Sequence, residues 1–191
     1  PAYYLIRQGI FAILGITAMF IVGKINYERY RAVAKMLLIF SIILLVLVLI
    51  PGIGTGRLTH GAQRWIRLGP IQFQPSEITK VGIILYFADS ISKKKDKMAT
   101  LRYGIVPYVA ILGVIAALMA KEPHLSGMVL LLGIGAVMMY VGGIRNYWVG
   151  LGFALVLLVI YAFATGLITY NSSRIDIWLD PFNEEWMRDK G

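Results

Sequence analysis

The segment 61–80, GAQRWIRLGPIQFQPSEITK, contains two closely spaced pairs of charged side chains that could act on a substrate. Arg64 and Arg67 lie three residues apart, and Glu77 and Lys80 have the same spacing after a Gln-Pro-Ser sequence. This spacing places Glu77 and Lys80 on one face of a helix, where they can form an ion pair. Arginine and lysine side chains at a membrane surface are suited to binding a phosphorylated, lipid-linked substrate.

The same segment also has a purely structural interpretation. Ser76 is predicted to cap the N-terminus of the following helix, with Glu77 in the first turn, where the helix dipole favours a carboxylate. The segment would then be a capped helix with one ion pair and an interfacial tryptophan. Against this, ionisable groups near a membrane span are costly and usually face a cavity. Both interpretations stay open from the residues alone.

A second polar segment, KEPHLSG at residues 121–127, joins two apolar runs. Lys121 can extend its ammonium group to the membrane surface, and Pro123 ends a helix. A lone histidine such as His124 is more often a structural hydrogen-bonding group than a metal ligand. The segment is therefore predicted to be a turn.

The third polar segment, residues 174–191, contains five carboxylates among aromatic residues. Asp180 follows the apolar pair Trp178-Leu179 and precedes Pro181. Such surroundings can hold a carboxylate in a partly dry site, which raises its basicity and suits a general base. The alternative is a solvated acidic loop with aromatic membrane anchors.

Long apolar runs separate these segments. Of the 191 residues, 58% are hydrophobic, and the mean hydropathy is +0.71, which is too apolar for a soluble domain. Because backbone polar groups must be paired inside lipid, we predict an all-α, polytopic transmembrane helix bundle in one domain. The six predicted spans are approximately 8–23, 36–53, 78–92, 103–120, 125–143 and 147–169, with extracellular loops at 54–76 and 170–191.

The distribution of charge predicts the orientation of the bundle. The formal net charge is +9, but the cations form no basic stripe of the kind that binds nucleic acid. Most of them lie in short gaps between spans, so the gaps at 24–35 and 93–102 and the turn around Arg145 are assigned to the cytoplasm. The chain has no cysteine and two distant histidines, which argues against disulfides and against thiolate or His-rich metal sites.

Taken together, the polar segments resemble the signatures of the SEDS family (shape, elongation, division and sporulation). GAQRWIRLGPIQFQPSEITK is similar to the family's Gly-Ala-x-Arg-Trp-Ile stretch followed by Gln-Pro-Ser-Glu and a lysine. KEPHLSG resembles its Gln/Glu-Pro-Asp/His turn, and WLDPF resembles its Leu-Asp-Pro loop. EPHLSG is closest to the FtsW/SpoVE branch. The family has ten spans, so this chain is expected to be a fragment that covers about the second to the seventh.

The resemblance implies a peptidoglycan glycosyltransferase of the bacterial cytoplasmic membrane, which polymerises lipid II in cell division, elongation or sporulation. In that inverting reaction a sugar hydroxyl attacks the anomeric carbon of the lipid-linked donor and displaces the pyrophosphate lipid. Asp180 matches the family's essential loop aspartate and is the candidate base. Glu77 and Lys80 match residues that line its central cavity, and Arg64 and Arg67 are candidate contacts of the pyrophosphate.

The resemblance further implies a class B penicillin-binding protein transpeptidase as partner. It also leaves room for an assisting divalent cation, Mg²⁺ or Mn²⁺, although no residues form a recognisable metal site. Two alternatives are a flippase for the lipid-linked precursor and a non-enzymatic scaffold for the transpeptidase. The acidic outer loop favours the enzyme, because a flippase needs no base there. The fragment alone is expected to be inactive.

Overall fold

The computed structural model describes residues 2–50, 52–55, 64–69, 71–122, 125–152 and 154–155. The chain divides into two compact units, Pro1–Ile144 and Arg145–Gly191. In the described part of the second unit, the backbone N–H of Trp148 donates to the carbonyl of Arg145 at 2.9 Å, and the Tyr147 and Trp148 rings meet edge to face. The elements below belong to the first unit.

The described residues of the first unit form five α-helices and three short strands. They are α1 (Ala2–Gly23), α2 (Tyr27–Val48), β1 (Gly54–Thr55), β2 (Trp65–Leu68), β3 (Ile71–Phe73), α3 (Pro75–Lys93), α4 (Val106–Lys121) and α5 (Leu125–Val141). A 3₁₀ turn at Lys95–Lys97 and a π-helical turn at Leu101–Ile105 connect α3 to α4. The predicted all-α helix bundle is therefore confirmed for the described residues, with one small sheet added to it.

The helices follow the predicted apolar runs, and their ends differ from the predicted ones. Among the described residues, three segments are long and apolar enough to cross a membrane: Leu5–Gly23, Tyr27–Val48 and Leu101–Lys121. Helix α2 begins at Tyr27, well before the predicted residue 36, because the Asn26 side chain accepts a hydrogen bond from the Glu28 backbone N–H at 3.1 Å and caps the helix. The sixth predicted span, 147–169, lies largely outside the described residues.

The close approach of α2 and α3 organises the core. A Cβ atom at Gly82 would lie 3.2 Å from both the Leu38 Cα and the Ser41 Oγ, so the two backbones meet where α3 has no side chain. Small residues permit such approaches between membrane helices, whose association depends on packing. Ile83 and Phe87 of α3 are also fully buried.

Helix α4 joins this core through aromatic and polar contacts. The rings of Phe87 and Tyr108 meet edge to face with centroids 4.8 Å apart, and the Tyr108 hydroxyl lies 2.9 Å from the Ser90 Oγ. The hydrogen bond satisfies the polar end of a tyrosine that is otherwise buried among apolar side chains. The pairing fixes the rotation of α4 relative to α3.

The predicted loop 54–76 contains a three-stranded antiparallel sheet in the order β1-β2-β3. Gly54 pairs with Ile66, and Ile66 pairs with Phe73 on its other side. Ile66 is buried against Leu44 and Val48 of α2, which ties the sheet to the end of the bundle. Strands of two to four residues give too short an alternating pattern to be predicted from the sequence.

Filling the space at Gly82 should separate α2 from α3. We expect Gly82→Leu to lower the free energy of unfolding by about 1–3 kcal/mol, the usual cost of overpacking a well-packed interface. The measurement is the thermal midpoint of the purified protein in detergent. Gly113→Leu is the matched control, because a Cβ at Gly113 in α4 meets nothing within 4 Å. Equal midpoints for the two variants would contradict the close packing at Gly82.

Candidate functional site

Two groups of polar residues lie at opposite ends of the bundle. At one end the Arg64 Nε, just before β2, donates to the backbone carbonyl of Glu122 at 3.3 Å. At the other end the Arg31 Nε of α2 donates to Asp89 Oδ1 of α3 at 2.5 Å. The loop 54–76 and the end of α4 therefore share one end, and the basic segments around Arg31 and Lys93 share the other. Which end faces the cytoplasm stays a prediction.

The predicted ion pair between Glu77 and Lys80 is present at the start of α3. The Lys80 Nζ lies 2.7 Å from Glu77 Oε2, and the side chains are 23% and 59% exposed, respectively. A pair with so exposed a carboxylate contributes ~1 kcal/mol or less to stability. An ammonium has three N–H donors, and within the described ranges Glu77 is the residue that engages Lys80. The pair thus orients a partly buried cation that can still bind an anion.

The prediction that Ser76 caps α3 is wrong. The N-cap is Gln74, in an extended conformation, and Pro75 occupies the first helical position. Proline suits that position because its fixed φ angle is helical and its missing N–H would have no partner there. Ser76 is consequently buried inside the first turn, and its Oγ has no hydrogen-bond partner among the residues described.

The two arginines predicted to contact one pyrophosphate lie on different sides of the β2 strand. Successive side chains of a strand point to opposite faces. Ile66 points into the core, and Arg64, two residues earlier, is half-buried on that side. Arg67 is exposed and pairs across the sheet with Gln72. The structure therefore brings Arg64, but not Arg67, against the end of α4.

Glu122 is a candidate functional residue that the sequence reasoning missed. It follows α4 directly, its side chain is fully buried, and neither carboxylate oxygen has a hydrogen-bond partner among the described residues. Burial raises the pKa of the Glu122 carboxyl to about 7, although the positive charge of Arg64 lowers it. The sequence gives one indication of such a residue: Glu122 lies near the end of an apolar run and directly before Pro123.

Several predicted features lie outside the described residues. These are Asp180, the candidate base, together with Pro123 and His124 of the KEPHLSG turn. Within the described ranges, no group of three or more His, Asp or Glu side chains is placed to hold a metal ion. No described residue is therefore assigned to the expected Mg²⁺ or Mn²⁺, and no step of the chemistry is assigned to the ion.

The chain matches a known protein family. A family model described as "Cell cycle protein", which covers FtsW, RodA and SpoVE, matches residues 1–190. The chain belongs to this family. The match covers the three polar segments and confirms the resemblance to the SEDS proteins. The matched residues include the region from Arg64 to Lys80 and the position of Asp180, so the whole candidate site lies within the match.

Similar proteins place the chain in the FtsW branch. It is 39% identical over 180 residues to "Probable peptidoglycan glycosyltransferase FtsW" of Trichlorobacter lovleyi, covering 94% of this chain and 46% of that protein. It is 38% identical over 184 residues to the protein of the same name from Geobacter sulfurreducens strain PCA, covering 95% and 48%. The chain thus spans about half the length of these FtsW relatives.

Two solved structures are similar in fold to this chain. One is a peptidoglycan synthase complex that coordinates polymerization and crosslinking, with a TM-score of 0.71, 29% identity, and coverage of 96% of this chain and 53% of that one. Another is the rod shape determining protein RodA of Thermus thermophilus, with a TM-score of 0.64, 32% identity, and coverage of 81% and 50%. These likenesses support a multi-pass protein of the bacterial inner membrane.

The pKa of Glu122 predicts a pH-dependent stability. Because this pKa is higher in the folded protein than its ordinary value of 4.5, the folded state binds the proton more tightly. Stability should fall as pH rises from about 4.5 to about 7, with a total loss on the order of 3 kcal/mol. Glu122→Gln removes this loss and should melt at a higher temperature than wild type at pH 8, while the difference disappears near pH 4.5.

The measurement is the thermal midpoint in detergent at pH 4.5, 6 and 8. Glu28→Gln is the matched control, because it removes an exposed carboxylate at the other end of the bundle. It should leave the pH dependence of the midpoint as in wild type. A Glu122→Gln protein that keeps the full pH dependence would show that the buried carboxyl does not cause it.

Proposed function

We propose that this protein, in its natural full length, is a peptidoglycan glycosyltransferase that polymerises lipid II. The observation that carries the proposal is the oriented, partly buried Lys80 at the start of α3, in a chain whose relatives are named peptidoglycan glycosyltransferases. A fixed cation at the membrane surface is what a pyrophosphate leaving group requires. The lipid tail of such a substrate would remain in the bilayer while its charged part reaches the site.

The proposed reaction is an inverting displacement. The carboxylate of Asp180 accepts the proton of a sugar hydroxyl as that oxygen forms a bond to the anomeric carbon of the donor. The bond from this carbon to the pyrophosphate oxygen breaks, and the electron pair leaves with the lipid pyrophosphate. Lys80 stabilises the charge that develops on the leaving group, because an ammonium close to a phosphate compensates negative charge in the transition state.

The neighbouring charges take supporting roles in this proposal. Glu77 holds the Lys80 ammonium in place through the 2.7 Å pair. Arg64 is assigned to the pyrophosphate from the side of α4, where its position depends on the Glu122 carbonyl. Arg67 is exposed on the other face of β2, so it would contact the same pyrophosphate from the solvent-exposed face of the sheet.

The proposed partner is a class B penicillin-binding protein transpeptidase. The similarity to a peptidoglycan synthase complex that coordinates polymerization and crosslinking supports this assignment. A scaffold role can therefore accompany catalysis. A flippase would also use charges near the membrane, but it would have no use for a base in the outer loop.

Replacing the candidate base is the direct test of the activity. Asp180→Asn keeps the shape of the side chain and removes its proton-accepting oxygen, so lipid II polymerisation should fall about 10²–10⁴-fold. The full-length protein is purified with its transpeptidase partner, and glycan chain length is measured with labelled lipid II. Asp176→Asn is the matched control and should be mild. Near-normal polymer from Asp180→Asn would end the assignment of the base.

The exchange of charges at the start of α3 tests the role of Lys80. If Glu77 and Lys80 only stabilise the helix, the double variant Glu77→Lys, Lys80→Glu should recover the activity lost in each single variant. We expect the double variant to stay inactive while it folds and reaches the membrane, because the cation would no longer face the substrate. Recovery of activity by the exchange would assign the pair to structure alone.

A further inference from the structure

A charged pocket lies at the other end of the bundle, between the first turns of α2 and the last turn of α3. Its volume is about 600 Å³, and its lining includes four cations and two carboxylates. The cations are Arg31, Lys35, Lys93 and Lys94, and the carboxylates are Glu28 and Asp89. The pocket is therefore net positive. Thirteen residues of α3, about 20 Å of helix, separate Lys80 from Lys93, so the pocket is distinct from the site proposed above.

Internal ion pairs hold the walls of this pocket in place. Asp89 accepts from Arg31 at 2.5 Å through one carboxylate oxygen and from Lys93 at 2.6 Å through the other. The second Arg31 nitrogen donates to the Ser92 Oγ at 3.1 Å. Each Asp89 oxygen contacts one of these cations, and in the described structure this carboxylate contacts neither Lys35 nor Lys94. The pocket is thus a preformed structure that retains positive charge.

Lys35 is the cation that this network leaves available. In the part of the chain that the structure describes, its ammonium has neither an ion pair nor a hydrogen bond. The Lys94 ammonium lies over the Tyr108 ring, 5.4 Å from its centroid, and lines the same pocket. A ring face leaves the N–H donors on the other side of an ammonium free for an anion.

The pocket lies at the boundary of two predicted spans, 36–53 and 78–92, which is where lipid headgroups are expected. Lys35 immediately precedes the apolar run that begins at Met36 of α2, and Lys93 is the last residue of α3. One turn beyond Lys35 on the same side of α2, the large apolar side chain of Ile39 is exposed. A molecule with an anionic head and apolar tails would find a charged pocket and an apolar surface in the correct order along the helix.

We propose that this pocket binds the phosphate of an anionic phospholipid, with Lys35 as its principal contact. Headgroup phosphate and free inorganic phosphate share the same chemistry of recognition, and the exposed apolar surface of α2 favours the lipid. By the predicted orientation, the lipid belongs to the cytoplasmic leaflet. A phosphate bound in the pocket would link α2 to α3, in addition to the ion pair between Arg31 and Asp89.

The test is lipid binding to the purified full-length protein in a neutral detergent, followed by native mass spectrometry. Phosphatidylglycerol is the anionic probe, and phosphatidylcholine is the zwitterionic control. We expect one saturable phosphatidylglycerol site that Lys35→Gln weakens about five-fold and Lys35→Glu weakens more strongly. Lys95→Gln is the matched control, since Lys95 lies at the same end but does not line the pocket, and it should change the affinity less than two-fold.

A second measurement does not depend on any variant. Phosphatidylglycerol should raise the thermal midpoint of the wild-type protein more than phosphatidylcholine does. Equal binding of the two lipids, or equal effects of Lys35→Gln and Lys95→Gln, would overturn the proposal. Displacement of phosphatidylglycerol by an equimolar concentration of inorganic phosphate would assign the pocket to a soluble anion and overturn the lipid assignment.

Discussion

The close contact between α2 and α3 at Gly82 holds the centre of the described bundle together. Membrane helices gain little from the hydrophobic effect when they associate, so packing contacts and polar pairs must hold them together. At Gly82 the backbones meet, and at one end of the contact Arg31 binds Asp89 across the two helices. At the other end α2 receives Ile66 of the sheet. One helix pair therefore positions polar groups at both ends of the bundle.

Local features of this structure were predictable from the sequence. The apolar runs gave the helices, and the spacing of three residues gave the pair between Glu77 and Lys80. The sequence predicts the N-cap of α3 at Ser76, because serine is a preferred N-cap residue and Glu77 follows it. In the structure the N-cap is Gln74. Here the rigid ring of Pro75 decided the position, and the general preference for serine did not apply.

Contacts between distant parts of the chain were not predictable in the same way. Arg64 and Glu122 are 58 residues apart, and the same separation divides Arg31 from Asp89. Nothing in a single sequence indicates that such residues meet. The burial of Glu122 depends on how α4 ends against the sheet, and the sheet depends on the anchoring of Ile66. From its sequence the segment after α4 is therefore predicted only to be a turn, and the buried Glu122 carboxylate is missed.

The lysines that follow α3 bear on two successive stages, membrane insertion and folding. When the chain enters the membrane, lysines near the ends of spans decide which side of the bilayer each loop occupies. In the folded protein the Lys94 ammonium covers the Tyr108 ring, and the Lys97 ammonium lies 5.5 Å from the centroid of the Tyr103 ring. Lysines that are predicted to orient the nascent chain thus also contact tyrosines of the next helical segment. Topology and folding are coupled here through the same residues, so exchanging these lysines for other polar residues would disturb biogenesis and tertiary structure together.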